Sequence, residues 1–304
     1  MTKHQSALHP DAAVTFVGLG MIGRHMALRV AAHGFRVTGV DPMPAAHEWA
    51  QGKGIAATSS LVQAPSPDVV IVMVATPEQM AAVVDDALHV TVAGERWILM
   101  STVGPDAIQK QALRLSRAGA HVIDVPVTGG VARARTGDLT LFAAGSKADL
   151  DAVSPVLEAM GKIREVGGEV GAGQSFKLVN QLLCTIHIVA AAEALALADR
   201  LKLDPARVLT ILQEGSAASW MLSSRGPRML AGADFEPTST VGIFVKDSAL
   251  VEDAARTVGA SVPLLQAARD RFNMASDSGL TSRDDSSVIE TYPPKPKNPL
   301  RQGS

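Results

Sequence analysis

The stretch Val14–Val30, VTFVGLGMIGRHMALRV, decides the fold. It begins as a short apolar run and continues into Gly18, Gly20 and Gly23. It then takes on the apolar spacing of a helix, which ends at Gly34. The three glycines fit the pattern G-x-G-x-x-G. Alone, this pattern is also compatible with an ordinary tight turn between a strand and a helix, so its meaning depends on the residues around it.

The residues that follow complete a strand-helix-strand unit. RVTGVD is a second strand, and it closes on Asp41, which lies 23 residues after Gly18. In this context Gly18 permits the tight turn, Gly20 lets a pyrophosphate approach the backbone, and Gly23 lets the helix pack closely. An acid at this distance is placed to meet the adenosine ribose. The unit therefore predicts a dinucleotide site, to which we assign Gly18, Gly20, Met21, Ile22, Gly23 and Asp41.

The alternation of strands and helices continues through the first half of the chain. Further strands are predicted at DVVIVMVAT, RWILMSTV, AHVIDVPVTGG, GDLTLFAAGS and KIREVGG. Strands that are apolar on both faces are typical of a parallel sheet covered by helices on both sides. From Gln174 to about Leu201 the chain has no proline or glycine, and every later segment is predicted to be helical. The predicted fold is α/β, a doubly wound parallel-sheet Rossmann domain followed by an all-α domain joined by a long helix.

These changes of pattern divide the chain into four segments. We expect a flexible lead-in over residues 1–12, a dinucleotide-binding Rossmann domain over 13–173, an all-helical substrate and dimerisation domain over 174–291, and a flexible tail over 292–304. The prolines and basic charges of PPKPKNPLRQGS favour disorder in the tail. The long helix is apolar around most of its circumference, and such a helix is often buried by a partner subunit. We therefore expect a homodimer or homotetramer.

The composition excludes several classes of partner and site. With 28 basic and 30 acidic residues in 304, the chain has a net charge of −2, which gives no indication of nucleic acid or a membrane surface as a partner. No uninterrupted apolar run reaches the roughly 18 residues of a membrane span. The single cysteine, Cys184, excludes an internal disulfide and favours a reducing, cytoplasmic location. The eight histidines are scattered without metal-ligand spacing, so no metal site is predicted.

Two stretches follow predicted strands and therefore lie where a ligand binds in a parallel sheet. In Ser101–Val103, STV, the serine is also compatible with a helix cap before Pro105. In DVPVTGGVARARTGDLT, Thr128 is followed by Gly129 and Gly130, so a hydroxyl stands beside exposed backbone N–H groups. That combination suits a carboxylate, although a plain glycine-rich loop has the same sequence.

A third stretch, GAGQSFKLVNQLL, opens the long helix. Lys177 and Asn180 share a helix face, and Cys184 and His187 continue the same stripe. A lysine in an apolar helix requires an explanation, because lysine is rarely buried without a partner. One explanation is an ion pair, with Glu193 or another acid. The other is a catalytic amine that burial and a neighbouring cation keep in its neutral form. For His187 we expect packing or a hydrogen bond in the interior rather than catalysis.

Four motifs in this order, VGLGMIG, DVPVTGG, GAGQSFKLVN and FVKD, resemble the β-hydroxyacid dehydrogenase family, which includes 3-hydroxyisobutyrate and tartronate semialdehyde enzymes. The resemblance implies NAD as cofactor and a small hydroxy acid as substrate. It implies that Lys177 is the acid/base and that Asn180 orients the substrate or the lysine. It further implies that Thr102 contacts the nicotinamide side of the cofactor and that Lys246 contacts cofactor or substrate. The carboxylate is then bound by Thr128, Gly129 and Gly130.

Within the family, KLVNQLLCTIHIVAAAEALALA and SWMLSSRGPRMLAGADFEPTSTVGIFVKD are most similar to the L-threonate dehydrogenases, which implies oxidation of L-threonate at C2. Three positions depart from the family pattern. Gln181 replaces a second asparagine, although it can still bind substrate through hydrogen bonds, Thr128 replaces a serine, and Gly242 stands where a larger or acidic residue is expected. Gln181, His187 and Ser219 are candidates for binding the 3- and 4-hydroxyls.

Four alternatives to this function remain. The same site could act on 3-hydroxyisobutyrate, or reduce an aldehyde acid such as tartronate semialdehyde. An imine reductase could share the scaffold, but Lys177 argues against that chemistry. A protein of a different class, a non-catalytic NAD-binding regulator, would not need Lys177, Asn180 and Lys246.

Overall fold

The computed structural model describes residues 8–9, 11–232 and 236–292. The chain divides into two compact units, Met1–Leu178 and Val179–Ser304. The predicted tail, apart from its first residue, and most of the predicted lead-in lie outside the described residues. The predicted domain boundary after residue 173 stays a prediction, and one continuous helix runs through it.

The first unit is built on one sheet, which has nine strands in the part of the chain that the structure describes. The strands are β1 Ala13–Val17, β2 Arg36–Val40, β3 Ala56–Thr58, β4 Val69–Val72, β5 Arg96–Leu99, β6 His121–Asp124, β7 Val127–Thr128, β8 Leu139–Ala144 and β9 Gly161–Gly167. Their order is β3-β2-β1-β4-β5-β6-β8-β7, with β9 paired to β8. The six strands β1 to β6 are parallel, as predicted.

The other end of the sheet differs from the prediction because β8 is antiparallel to both β6 and β7. After β6 the chain does not cross over the sheet. It continues through β7 and a short helix and turns back, and the N–H of Phe142 donates to the carbonyl of Pro126 at 2.9 Å. The predicted fold class, a doubly wound Rossmann sheet followed by helices, is confirmed, and the sheet is mixed at this one edge.

Helices cover both faces of the sheet. They are α1 Gly23–Ala32, α2 Pro44–Gln51, α3 Pro77–Ala87, α4 Pro105–Arg117, α5 Gly130–Thr136 and α6 Lys147–Glu158. The side chains of β4 alternate between two apolar layers: Val69 and Ile71 belong to one, and Val70 and Val72 to the other. Because neighbouring residues of a strand point to opposite faces, this alternation shows why the whole strand is apolar.

The helix α7, Ala172–Arg200, has 29 residues, and the elements that follow it in the described part of the chain are helical. These are α8 Pro205–Leu212, α9 Trp220–Ala231, α10 Val241–Thr257, α11 Pro263–Ala275, a π-helical turn Ser276–Leu280 and a 3₁₀ segment Asp285–Thr291. Among the described residues, α7 is the one helix long and apolar enough to cross a membrane, with a mean hydropathy of 1.7. That is weak support for a span, since the core helix of a soluble protein has the same composition.

Candidate active site

The glycine loop after β1 has the geometry that its pattern predicts. Gly18 has a φ of +94°, and a Cβ there would stand 2.2 Å from the carbonyl oxygen of Met73. A Cβ on Gly23 would stand 2.1 Å from the carbonyl oxygen of Gly18, so only glycine allows α1 to approach β1 this closely. A Cβ on Gly20 would meet no atom within 4 Å. The loop therefore closes tightly at its first and third glycines and leaves open space beside the second, as a pyrophosphate requires.

Asp41, directly after β2, is held against this loop. Its carboxylate accepts the N–H of Leu19 and the N–H of Met43, each at 2.9 Å. The sequence interpretation did not identify Arg24, whose Nε donates to the carbonyls of Leu19 and Gly20. The Arg24 guanidinium also lies 5.3 Å from the ring centre of Trp49. A cation at the start of α1 and the carboxylate after β2 therefore both lie against the glycine loop.

The loop after β5 presents Thr102 between two buried neighbours. Ser101 is not a helix cap, because α4 is capped by Gly104 without a side-chain hydrogen bond. Instead the Ser101 Oγ accepts the N–H of Val74 at 2.7 Å, which ties this loop to the end of β4. Thr102 is half-buried, whereas Ser101 and Val103 are buried. The loop thus lies at the carboxyl edge of the parallel strands, where the cofactor is expected.

The predicted carboxylate loop follows β7. Gly129 and Gly130 have φ values of +133° and +67°, a backbone conformation that residues other than glycine rarely adopt. A Cβ on Gly129 would stand 2.9 Å from the side chain of Arg133. Thr128 precedes them and is half-buried. Successive backbone N–H groups beside a hydroxyl can bind an anion, and the assignment of a substrate carboxylate here stays a prediction.

Lys177 lies in the second turn of α7 and is only 7% exposed. Glu193, the ion-pair partner considered from the sequence, is 16 residues further along the same helix. That separation is about 24 Å, so the two side chains do not meet. Glu193 accepts the Tyr292 hydroxyl at 3.0 Å instead.

In the second unit, Gln181 and Lys246 are connected through Asp247, and Asn180 is bonded to Gln181. The Nε2 of Gln181 donates to the Asp247 carboxylate at 2.6 Å, and the Nζ of Lys246 lies 2.9 Å from its other oxygen. Asn180 donates to the Gln181 amide oxygen at 3.0 Å and to the Cys184 Sγ at 3.4 Å. Asp247 is only 3% exposed. The sequence interpretation missed this acid, although the motif FVKD contains it.

Two of the remaining candidates, Ser219 and Gly242, have local structural roles. The Oγ of Ser219 accepts the N–H of Leu222 at 2.9 Å and caps α9. A Cβ on Gly242 would stand 3.0 Å from the Thr281 side chain, so this glycine allows a close packing contact rather than opening a pocket. His187 is half-buried. Within the described residues no group of three or more His, Cys, Asp or Glu could hold a metal ion.

Two family models match the chain and together cover most of it. Residues 13–173 match the NAD binding domain of 6-phosphogluconate dehydrogenase. Residues 171–292 match the model described as NAD-binding of NADP-dependent 3-hydroxyisobutyrate dehydrogenase. The sequence-based resemblance and the NAD cofactor are thereby confirmed.

The relatives of this chain are named for different substrates. The L-threonate dehydrogenase of Cupriavidus necator is 36% identical over 282 residues, which are 91% of this chain and 95% of the relative. The 2-hydroxy-3-oxopropionate reductase of Escherichia coli is 28% identical over 90% of this chain and 95% of the relative. A crystal structure named 3-hydroxyisobutyrate dehydrogenase, from Salmonella typhimurium, is 33% identical with a TM-score of 0.85 over 92% of this chain and 99% of that one.

Proposed function

Since the chain belongs to the 3-hydroxyisobutyrate dehydrogenase family and is an NAD-dependent hydroxyacid dehydrogenase, we propose that it oxidises L-threonate at C2 to 2-oxo-L-threonate. One observation carries the proposed chemistry. The amine of Lys177 belongs to a side chain that is 7% exposed, on a helix whose start is fastened to the carboxyl edge of the sheet. The choice of L-threonate is supported by the 36% identity to an enzyme of that name.

The residues of this chain fit a bound NAD. The open space beside Gly20 and the carboxylate of Asp41 suit the pyrophosphate and the ribose. When bound, the cofactor supplies the nicotinamide that takes up the hydride. In the proposed reaction the substrate carboxylate lies on Thr128 and its two glycines. Lys177, as the neutral amine, removes the proton of the C2 hydroxyl as the C2–H bond breaks.

The direct test is a panel of three- to six-carbon hydroxy acids assayed for NADH formation. We expect L-threonate to give the highest kcat/KM. A second candidate, 3-hydroxyisobutyrate, is favoured by the name of the Salmonella structure, which is 33% identical to this chain. A panel in which no hydroxy acid reduces NAD would overturn the proposal as a whole.

We expect NAD to be preferred over NADP by at least about a hundredfold in kcat/KM. The Asp41 carboxylate is fixed by two backbone N–H groups, so it cannot swing away from a 2′-phosphate. Repulsion of a few kcal/mol gives this ratio, because each 1.4 kcal/mol is a factor of ten. The measurement is kcat/KM for both cofactors with one hydroxy acid.

A matched pair of variants assigns the cause of this preference. Asp41→Ser should reduce the ratio, since it removes the charge. Arg24→Ala should raise it further, because Arg24 is the cation beside the glycine loop. Comparable efficiency of the wild-type chain with NAD and NADP would contradict the assignment of Asp41.

Thr128→Ala is expected to raise the KM for the hydroxy acid about tenfold and to leave kcat nearly unchanged. This is the effect of losing a contact that binds the ground state and the transition state equally strongly. Thr128→Ser keeps the hydroxyl and should keep the KM. Thr136→Ala, at the other end of α5, is the control, because its hydroxyl donates to the Arg133 carbonyl within that helix. A Thr128→Ala variant with an unchanged KM would show that the carboxylate binds elsewhere.

We further infer a homodimer or homotetramer. Three apolar side chains of α7 are each at least 50% exposed: Val179, Leu183 and Leu197. Exposed apolar surface of this kind marks a contact with another protein chain, and a second copy of this chain is the partner we infer. The cytoplasmic location stays a prediction from the single cysteine.

A further inference from the structure

The start of α7 is connected to two loops of the sheet by a pair of buried polar residues, Asp124 and Gln174. Asp124 is the last residue of β6, and Gln174 lies in the first turn of α7. Both are 0% exposed. A carboxylate and an amide this deeply buried need hydrogen-bond partners, because an unsatisfied polar group in the interior is costly.

Asp124 caps the amino terminus of α7 from outside the helix. One carboxylate oxygen accepts the N–H of Gly171 at 3.1 Å and the N–H of Gln174 at 2.9 Å. The contact is close, since a Cβ on Gly173 would stand 2.9 Å from this same oxygen. Burial raises the pKa of Asp124 to about 6, although its hydrogen bonds act in the other direction. Above that pH the carboxylate is ionised and faces the positive end of the helix.

Gln174 uses both ends of its amide to hold the loop after β5. Its Nε2 donates to the other oxygen of Asp124 at 2.9 Å and to the carbonyl of Ser101 at 3.0 Å. Its Oε1 accepts the N–H of Val103 at 3.0 Å and of Gly104 at 3.1 Å. The backbone on both sides of Thr102 is thereby bonded to one side chain of α7.

We propose that Asp124 and Gln174 are positioning residues for the reaction, which hold the Lys177 amine and the Thr102 loop in a fixed register. This inference rests on the proposed function, because it takes Lys177 as the acid/base and Thr102 as a cofactor contact. Capping of a helix alone would not require the bonds to residues 101, 103 and 104. A residue that only filled space would not need four polar partners.

The position of Lys177 depends on the hydrogen bonds of Asp124 and Gln174. Lys177 is three residues after Gln174, so the two lie one turn apart on the same face of α7. A shift of the helix start therefore moves the amine by a similar distance relative to the loop of Thr102. A misplacement of about 1 Å in an active site can lower the rate about a hundredfold.

The test uses Gln174→Glu, Asp124→Asn and the double variant in the full-length protein. Gln174→Glu removes the two N–H donors and places a second carboxylate against Asp124. We expect kcat to fall about a hundredfold, with the KM for NAD changed less than about threefold. In Asp124→Asn the oxygen that accepts from the Gln174 Nε2 becomes an N–H donor, so two donors face each other. We expect kcat to fall at least about tenfold.

The double variant restores the bond between the two side chains, because the introduced asparagine donates to the introduced glutamate. The glutamate can still accept the N–H groups of Val103 and Gly104. We therefore expect its kcat to exceed that of Gln174→Glu by at least about tenfold. It should stay below wild type, since the Ser101 carbonyl has lost its donor.

Each kcat is expressed per NADH-binding site, counted by titration, on whichever hydroxy acid the wild type oxidises. A merely structural defect lowers the number of sites, whereas a positioning defect lowers turnover per site. Gln111→Glu is the control, because Gln111 is 4% exposed and its Oε1 accepts from Arg114 within α4. Gln174→Met, neutral and of similar volume, replaces Gln174→Glu if the latter does not fold.

Wild-type turnover per site in Gln174→Glu, or in Gln174→Met where it takes its place, would overturn the inference. So would a double variant whose loss is the product of the two single losses. If Lys177→Ala is inactive while the Gln174 variants are normal, only this inference is wrong. If Lys177→Ala keeps wild-type turnover, the proposed role of Lys177 is wrong, and with it the premise of this inference, whatever the Gln174 variants show.

Discussion

Replacing Lys177 with alanine is expected to lower turnover about 10²- to 10⁴-fold, the usual effect of removing a general acid/base. In the proposed reaction the C2 hydroxyl must lose its proton as hydride leaves the same carbon. Lys177→Ala removes the group that accepts this proton in the proposed reaction. The measurement is kcat for hydroxy acid oxidation per NADH-binding site. NADH affinity should be retained, because the glycine loop is a separate part of the sheet edge.

Two further variants separate proton transfer from charge. Lys177→Arg keeps a cation in place, but arginine does not release its proton at any pH at which enzymes work. If the amine is a base, the arginine variant should be as slow as the alanine variant. Lys110→Ala, an exposed lysine of α4, should have wild-type turnover. An arginine variant with near-normal kcat would show that Lys177 acts through its charge alone.

The fold could be predicted from the sequence where the signals are local. Gly18, Gly20 and Gly23 determine the loop within six residues, and the structure confirms the close approach at the first and the third. The parallel strands β4 and β5 follow from apolar runs of the right length. The reversal at β8 could not be predicted, because an apolar strand has the same pattern whether its neighbour is parallel or antiparallel.

The site could be predicted only in part, because several of its contacts join residues far apart in the chain. Asp124 lies within a motif that was singled out, but its partner Gln174 is 50 residues away. Ser101 has the sequence of a cap before Pro105, yet its hydroxyl is bonded to residue 74. Gly242 departs from the family pattern, and its explanation is a contact with Thr281. Sequence spacing gives no information about such partners.

L-threonate is expected to exceed 3-hydroxyisobutyrate about 10⁴-fold in kcat/KM. A site built to form hydrogen bonds to substrate hydroxyls leaves its own buried polar groups unpaired when an analogue lacks them. 3-Hydroxyisobutyrate lacks both additional hydroxyls of L-threonate. Its reacting carbon is also one bond further from the carboxylate, so the two ends cannot both reach Thr128 and Lys177 in the same way. The measurement is kcat/KM for both acids at saturating NAD.

Two stereoisomers make this test specific for the proposed geometry. If the carboxylate is fixed at Thr128 and the C2 hydroxyl at Lys177, the configuration at C2 determines where the C2–H bond points. In L-erythronate, the C2 epimer, the C2 hydrogen and the C3–C4 part of the substrate have exchanged positions. Its hydride would therefore point away from the cofactor, and its kcat should be very low. D-erythronate differs only at C3, so it should lose one hydrogen bond, about tenfold in kcat/KM, and keep a measurable kcat.

Equal activity on L-threonate and 3-hydroxyisobutyrate would overturn the substrate and leave the reaction class intact. Equal activity on L-threonate and L-erythronate would overturn the two-point attachment itself, because no fixed carboxylate and hydroxyl can present both C2 hydrogens to the same face of the nicotinamide.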